Sequence, residues 1–182
     1  VTAIDISEGM LARLDAKVRK FGVPNLDAHV MDGRQLEFKR DYFQSLVCSF
    51  GLTFMADPAR ALKEWARVTR PGGRVVFTVP AAGALEPMGS QLAARVAGEG
   101  VKVMTEAECQ RLSAEAGLID VATRTETLGY HLKNAGEWWE LAWHSGLFPS
   151  LHDLPPAAQE AIRVAHIAET ERHQAGEGLW LD

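Results

Sequence analysis

The first eleven residues constrain the fold most. Val1-Thr2-Ala3-Ile4-Asp5 reads as a short strand that ends in a carboxylate, and Ile6-Ser7-Glu8-Gly9-Met10-Leu11 as the start of a helix. Val1, Ala3, Ile4 and Ile6 are apolar on both parities, the pattern of a strand covered on both faces. Ser7 is a helix cap, and Glu8 falls in the first turn, where negative charge is favoured. A strand that feeds directly into a helix belongs to an α/β sheet. In such sheets ligands bind beyond the carboxyl ends of the strands, which is where Asp5 lies. A carboxylate there offers two oxygens to the adjacent hydroxyls of a ribose.

The same grammar repeats downstream. Leu11, Leu14, Val18 and Phe21 mark the inward face of the first helix, which Gly22 and Pro24 end. Leu26 to Met31 is a second strand, again followed by a carboxylate, Asp32, and then by Gly33. Phe43 to Phe50 is a third strand, ended by Gly51 and Leu52. Asp57-Pro58 opens a helix with a cap and a first-position proline, and Leu62, Trp65 and Val68 form its buried face. Arg70-Pro71-Gly72-Gly73 predicts a tight turn that stops this helix before a strand from Arg74 to Val79. The order strand, helix, strand, strand, helix, strand predicts an α/β fold, Rossmann-like, with a mostly parallel sheet and helices on both faces.

Beyond Val79 the alternation loosens. A short helix is predicted from about Ser90 to Ala97, and Thr105-Glu106-Ala107-Glu108 matches a capping box whose helix turns Cys109, Leu112 and Ala116 inward. Val121 to Leu128 is a strand candidate. Asn134 and Glu137 open an aromatic helix with Trp138, Trp139 and Trp143. Ala157 to His173 is a helix with Ile162, Ala165 and Ala168 on one face, and His166 and His173 read as solvated positions. Gly176 and Gly178 lead into a last strand at Leu179 to Asp182. The whole, 1–182, is expected to be a single domain. Segments 81–104 and 132–176 are helical interruptions expected to cover the substrate side.

Bulk properties narrow the partners. With 182 residues, 47% hydrophobic and 24% charged, the chain can bury a substantial core. Its formal net charge of -5 argues against a nucleic-acid footprint. No apolar run approaches the ~20 residues that span a bilayer. Cys48 and Cys109 make neither a disulfide framework nor a metal-ligand pair, and thiols suit a reducing, cytoplasmic setting. The six histidines show no metal-binding spacing.

Three strand ends, at Asp5, Asp32 and Ser49-Phe50, are expected on one rim. Two carboxylates there suit a nucleoside, one for the ribose and one for an exocyclic amine. With Asp5-Ile6-Ser7-Glu8-Gly9-Met10-Leu11, Met31-Asp32-Gly33, Ser49-Phe50-Gly51-Leu52, Asp57-Pro58-Ala59-Arg60-Ala61-Leu62 and Arg70-Pro71-Gly72-Gly73-Arg74, the chain resembles the class I S-adenosylmethionine-dependent methyltransferases. It is most similar to the branch of the ubiquinone and menaquinone C-methyltransferases. The resemblance covers roughly the first 80 residues well. It implies methyl transfer from S-adenosyl-L-methionine to a small or medium organic acceptor. It places Asp5 on the ribose, Asp32 and Gly33 on the adenine, Met10 against the nucleoside, and the backbone of Ser49 and Phe50 toward the methionine part, with Ile6 also among the cofactor-binding residues. His131, Trp139, Trp143 and His144 are the acceptor-lining candidates. No catalytic residue is assigned.

One departure is plain. The family carries a glycine-rich loop roughly 20 residues before the ribose carboxylate, by analogy with dinucleotide-binding sheets. This sequence begins four residues before Asp5. The expectation is a piece of a longer chain; the alternative is a substitute strand from another copy, which makes a homodimer. Two other functions stay open. A strand-end Asp also suits the ribose of a nicotinamide cofactor, so an oxidoreductase is an alternative. Its short-chain dehydrogenase subtype is excluded, because Tyr42 and Tyr130 are followed four residues later by Leu46 and Asn134 rather than Lys. A non-catalytic interaction protein on a decayed methyltransferase scaffold is the second.

Overall fold

The computed structural model describes residues 1–96, 98, 101–173 and 178–181. It comprises two compact units: Val1–Val79 with Ala107–Thr123, and Pro80–Glu106 with Arg124–Asp182.

The first unit holds two strand–helix–strand motifs. Strand β1 (Thr2–Asp5) runs parallel to β2 (Asp27–Val30), with Thr2 opposite Asp27 and Asp5 opposite Val30. Helix α1 (Glu8–Phe21) joins them. Ser7 caps it, its hydroxyl accepting from the Met10 N–H at 3.3 Å, and Gly22 ends it at φ 62°, a left-handed cap that glycine adopts without penalty. Leu11, Leu14 and Val18 are half-buried as their spacing predicts, whereas Phe21 is exposed. Strand β3 (Phe43–Ser49) runs parallel to β4 (Thr69–Thr78), and a helical turn at Gly51–Phe54 followed by helix α2 (Pro58–Val68) connects them. Asp57 caps α2 through its Oδ1, which accepts from the Arg60 N–H at 2.9 Å. Ala61, Leu62, Trp65 and Val68 are its buried residues. Helix α4 (Glu106–Glu115) adds buried Cys109, Leu112 and Ser113.

Each parallel pair forms its own two-stranded ladder among the described residues. Two expectations are corrected here. Arg70-Pro71-Gly72-Gly73 does not precede the strand but bulges within it. The register passes from Phe43 opposite Thr69 to Ser45 opposite Arg74, two residues on β3 against five on β4. Pro71 has no N–H for the ladder, and Gly72 sits at φ 76°, so this stretch is pushed out while the flanks stay paired. Val121 to Leu128 forms no strand. Only its first and third residues are even half-buried, too little to hold it on a sheet.

In the second unit, helix α3 (Met88–Arg95), β5 (Tyr130–Leu132), α5 (Ala135–His144), α6 (Pro156–Thr170) and β6 (Leu179–Leu181) enclose one core. Strands β5 and β6 pair antiparallel. Met88, Leu92, Trp138, Phe148, Leu151 and Leu179 are fully enclosed, and Trp138 meets Phe148 edge-on at 6.3 Å. Helix α3 starts two residues before the expected Ser90; the expected end at Ala97, Gly176 and Asp182 lie outside the described residues. Helix α6 is rotated from its predicted face. Ile162, His166 and Thr170 turn inward, and Ala165 and Ala168 are exposed. His166, expected in solvent, is completely buried. The rotation follows from Trp138, whose buried indole needs an acceptor that alanine cannot supply.

Candidate functional site

The rim of the β1–β2 pair carries both predicted carboxylates. Asp5 ends β1, and its Oδ1 accepts the Ser7 N–H at 2.8 Å, which fixes the side chain at the strand end. The carbonyl of Asp5 accepts the Met31 N–H at 3.0 Å, so the two strand ends are tied together just before Asp32. Asp5 and Asp32 therefore leave the same end of one parallel pair. Ile6 and Met10 follow Asp5 at this rim and stay 74% and 53% exposed, an apolar surface left open to solvent.

Asp32 is held by one residue. Arg34 donates its backbone N–H to Oδ1 at 2.8 Å, Nε–H to both oxygens at 3.1 Å, and Nη2–H to Oδ2 at 2.8 Å. These hydrogen bonds from Arg34 lower the Asp32 pKa to about 2, so it is a carboxylate throughout the neutral range.

Gly33 is buried between Asp32 and Arg34. A Cβ there would fall 2.6 Å from Met55 Cε, so the position requires glycine unless Met55 moves. Its carbonyl accepts the Trp65 indole N–H at 2.9 Å. Two more α2 side chains fasten the following loop. Glu64 Oε2 accepts the Leu36 N–H at 2.9 Å. Arg67 donates to the carbonyls of Phe38 and Leu36 at 2.7 and 2.8 Å and to both oxygens of Glu64 at 2.8 Å. Glu64 is held below the usual carboxylate range, chiefly by the Arg67 hydrogen bonds. Sequence reasoning missed Glu64 and Arg67. Their only signal is a charged pair three apart that brackets Trp65 on an amphipathic helix.

Ser49 and Phe50 lie at the end of the other pair. Ser49 is opposite Thr78, and Phe50 donates its N–H to the Thr78 hydroxyl at 3.0 Å and carbonyl at 3.2 Å. Phe50 sits at φ 56°, a left-handed conformation that bulky residues seldom adopt, and its ring is half exposed. The strained turn bends the backbone at the strand end, where sheet ligands bind.

The acceptor-lining candidates lie in the second unit and do not converge. Trp139 is 4% exposed in the core, stacked on half-buried Trp143 at 5.9 Å, and Trp143 meets His152 at 4.4 Å. His144 is exposed at the end of α5, 3.8 Å from Glu140, and His131 is exposed on β5. The same unit contains a cavity of about 340 Å³ walled by Ala82, Gly83, Gly89, Ala93 and Val101, with Glu86 and Ser90 hydrogen-bonded to each other at its polar side. His166, read from the sequence as solvated, accepts the Trp138 indole N–H at 2.8 Å on Nε2, and burial lowers its pKa to about 4. Among the described residues no group of His, Cys, Asp and Glu is arranged to hold a metal ion, and no helix is long and apolar enough to cross a membrane.

Comparison with known proteins places the chain in a family. A family model described as "Methyltransferase domain" matches residues 1–77. The chain is 31% identical to a demethylmenaquinone methyltransferase of Paenarthrobacter aurescens, across 97% of this chain and 70% of that protein. It is 42% identical to a phosphatidylethanolamine N-methyltransferase of Cereibacter sphaeroides, across 42% of this chain and 38% of that one. For seven of the curated relatives it matches, the chain spans between 30% and 41% of their length. Among solved structures, the YcgJ protein from Bacillus subtilis superposes with a TM-score of 0.62 at 17% identity, covering 99% of this chain and 76% of that one, which shows a shared fold.

Proposed function

Because the chain belongs to the class I S-adenosylmethionine-dependent methyltransferases, resembling their ubiquinone and menaquinone C-methyltransferase branch, we propose that it transfers a methyl group to a small organic acceptor. The cofactor of this family is S-adenosyl-L-methionine. The observation that carries the reading is the pair Asp5 and Asp32, two carboxylates leaving the same end of one parallel strand pair.

The residues present fit that cofactor. Asp5 keeps acceptor capacity beyond the Ser7 bond, enough for a ribose diol. Asp32 stays ionised, as an acceptor for an exocyclic amine must. Gly33 brings main chain to the same place, and Ile6 and Met10 offer apolar surface for a nucleoside face. The Phe50 turn supplies bent backbone for the methionine part. When bound, the cofactor supplies an electrophilic methyl on a positively charged sulfur. What the chain adds is placement: methyl transfer needs an in-line approach in a site that excludes water, not a covalent partner.

Acceptor selectivity is assigned to segments 81–104 and 132–176 of the second unit. Its small cavity and the Trp139–Trp143 stack support an organic acceptor over a macromolecule, as does the net charge of -5 over a nucleic acid. A cytoplasmic location belongs to the same reading, supported by two cysteines not joined in a disulfide. So does a homodimer, supported by Val47 and Val76, paired neighbours 75% and 52% exposed.

The test is calorimetric titration of S-adenosylhomocysteine into the complete protein, with NADH as the competing ligand. Micromolar binding of the first and none of the second is expected. Binding of NADH alone overturns the assignment in favour of an oxidoreductase, and binding of neither in favour of an interaction protein.

A further inference from the structure

The fork between Arg34 and Asp32 is elaborate for an ion pair whose side chains are 38% and 39% exposed. Pairs in such surroundings contribute little to stability. Its larger consequence is geometric. A carboxylate offers about four lone-pair sites. Three hydrogens of Arg34 point at Asp32: the backbone N–H, the Nε–H shared between both oxygens, and one on Nη2. The backbone bond and the fork together leave the carboxylate one orientation. About one acceptor site remains, and its direction is set.

A lone, directed acceptor reads chemistry that a freely turning carboxylate reads poorly. It attracts an N–H and repels a carbonyl oxygen. A site with one fixed polar group rejects the wrong partner because that group is left unpaired. The fork also occupies Arg34. Its Nε–H and one Nη2 hydrogen are committed to Asp32 and are not offered to a ligand. Gly33, between the two residues, is itself pinned by Trp65 and cannot relax the arrangement.

We propose that Arg34 is a specificity-determining positioning residue, which restricts Asp32 to one outward acceptor and so commits the nucleoside site to a base with an exocyclic amine. The proposal rests on the methyltransferase reading above. It extends that reading from Asp32, which touches the base, to a neighbour that acts through it.

The experiment compares two ligands in the complete protein: S-adenosylhomocysteine, with a 6-amino purine, and S-inosylhomocysteine, in which the amine is replaced by a carbonyl. Wild type is expected to prefer the first. Arg34→Ala is expected to cut that preference by about tenfold, the scale of one well-oriented hydrogen bond to a charged group. Arg34→Lys, which keeps the charge but cannot fork, should move in the same direction by less. Adding Arg34→Ala to Asp32→Asn should change the preference no further. An unchanged preference in Arg34→Ala, an equal loss for both ligands, or tighter S-adenosylhomocysteine binding overturns the proposal while leaving the methyltransferase reading intact. Failure of wild type to bind either ligand overturns that reading and this proposal with it.

Discussion

Trp65 and Trp138 are chemically the same solution used for different ends. Each buries its ring, at 2% and 0% exposure, and each satisfies its indole N–H with one short bond. Trp65 bonds the carbonyl of Gly33 and so holds a turn that carries a carboxylate at an open rim. Trp138 bonds His166 and so fills the inside of the second unit. Around Trp65 the fastening is polar: Glu64 and Arg67 bind main-chain groups of the same loop, and at the strand ends of this unit apolar Ile6, Met10 and Phe50 stay exposed. Around Trp138 the fastening is packing, with Met88, Leu92, Phe148, Leu151 and Leu179 in one cluster. A region built to present groups stabilises backbone and leaves side chains open; a region built for stability does the reverse.

Substitutions should separate the two roles. The largest effect belongs to Trp138→Ala, which empties the aromatic centre of the second unit and should cost about 3–5 kcal/mol in urea unfolding. A smaller loss would mean that the core collapses around the gap. Next comes Asp5→Ala, which should abolish S-adenosylhomocysteine binding, at least a tenfold loss or ~1.4 kcal/mol, with the unfolding midpoint little changed. Unchanged affinity there would remove the first unit's claim to be a binding surface. Trp65→Phe keeps the ring but orphans the Gly33 carbonyl. It should cost about 1–3 kcal/mol and weaken S-adenosylhomocysteine several-fold, whereas Trp138→Phe should cost similar stability and leave affinity alone.

The smallest effect near neutral pH, and the most selective, is a proton-linked one. His166 has its pKa lowered from 6.5 to about 4, chiefly by burial, with Arg95 adding to the shift. The unfolded chain takes up a proton there before the folded one does. Its contribution is fully present above pH 6.5 and declines as the pH falls toward 4. Unfolding curves across that window should lose stability in wild type and lose less in His166→Gln. Asp32 acts lower, losing its contribution only as pH falls from 3.8 toward 2. A wild-type curve flat between pH 6.5 and 4 would show that His166 takes its proton with little penalty.

Much of the first unit was legible because its signals are local. Ser7, Gly22, Asp57 and Pro58 act within a turn of where they stand, so caps and boundaries followed from residue type. The strand ends at Asp5 and Asp32 followed from apolar runs that stop at a carboxylate. The Arg70-Pro71-Gly72-Gly73 stretch was misplaced because a bulge and a turn use the same residues, and only pairing with Phe43 and Ser45 distinguishes them. The strand predicted at 121–128 failed for a related reason: a β-prone sequence is no strand without a partner.

Residue type and order alone pick out the groups proposed for the nucleoside: two acids at strand ends, a glycine after one of them, and the helix starts that place them. These are one-dimensional facts, since a strand followed by a cap leaves little choice of local backbone. How the turn behind them is fastened follows only from the folded chain. Trp65 reaching across 32 positions to Gly33, and His166 turning inward to meet Trp138, both depend on elements far apart in the chain coming within 3 Å or so, where hydrogen bonds form, whereas the Arg34 fork on Asp32 closes within one turn. Helical periodicity placed Ile162, Ala165 and Ala168 on one side of α6. The unmet donor of a buried tryptophan chose a different side.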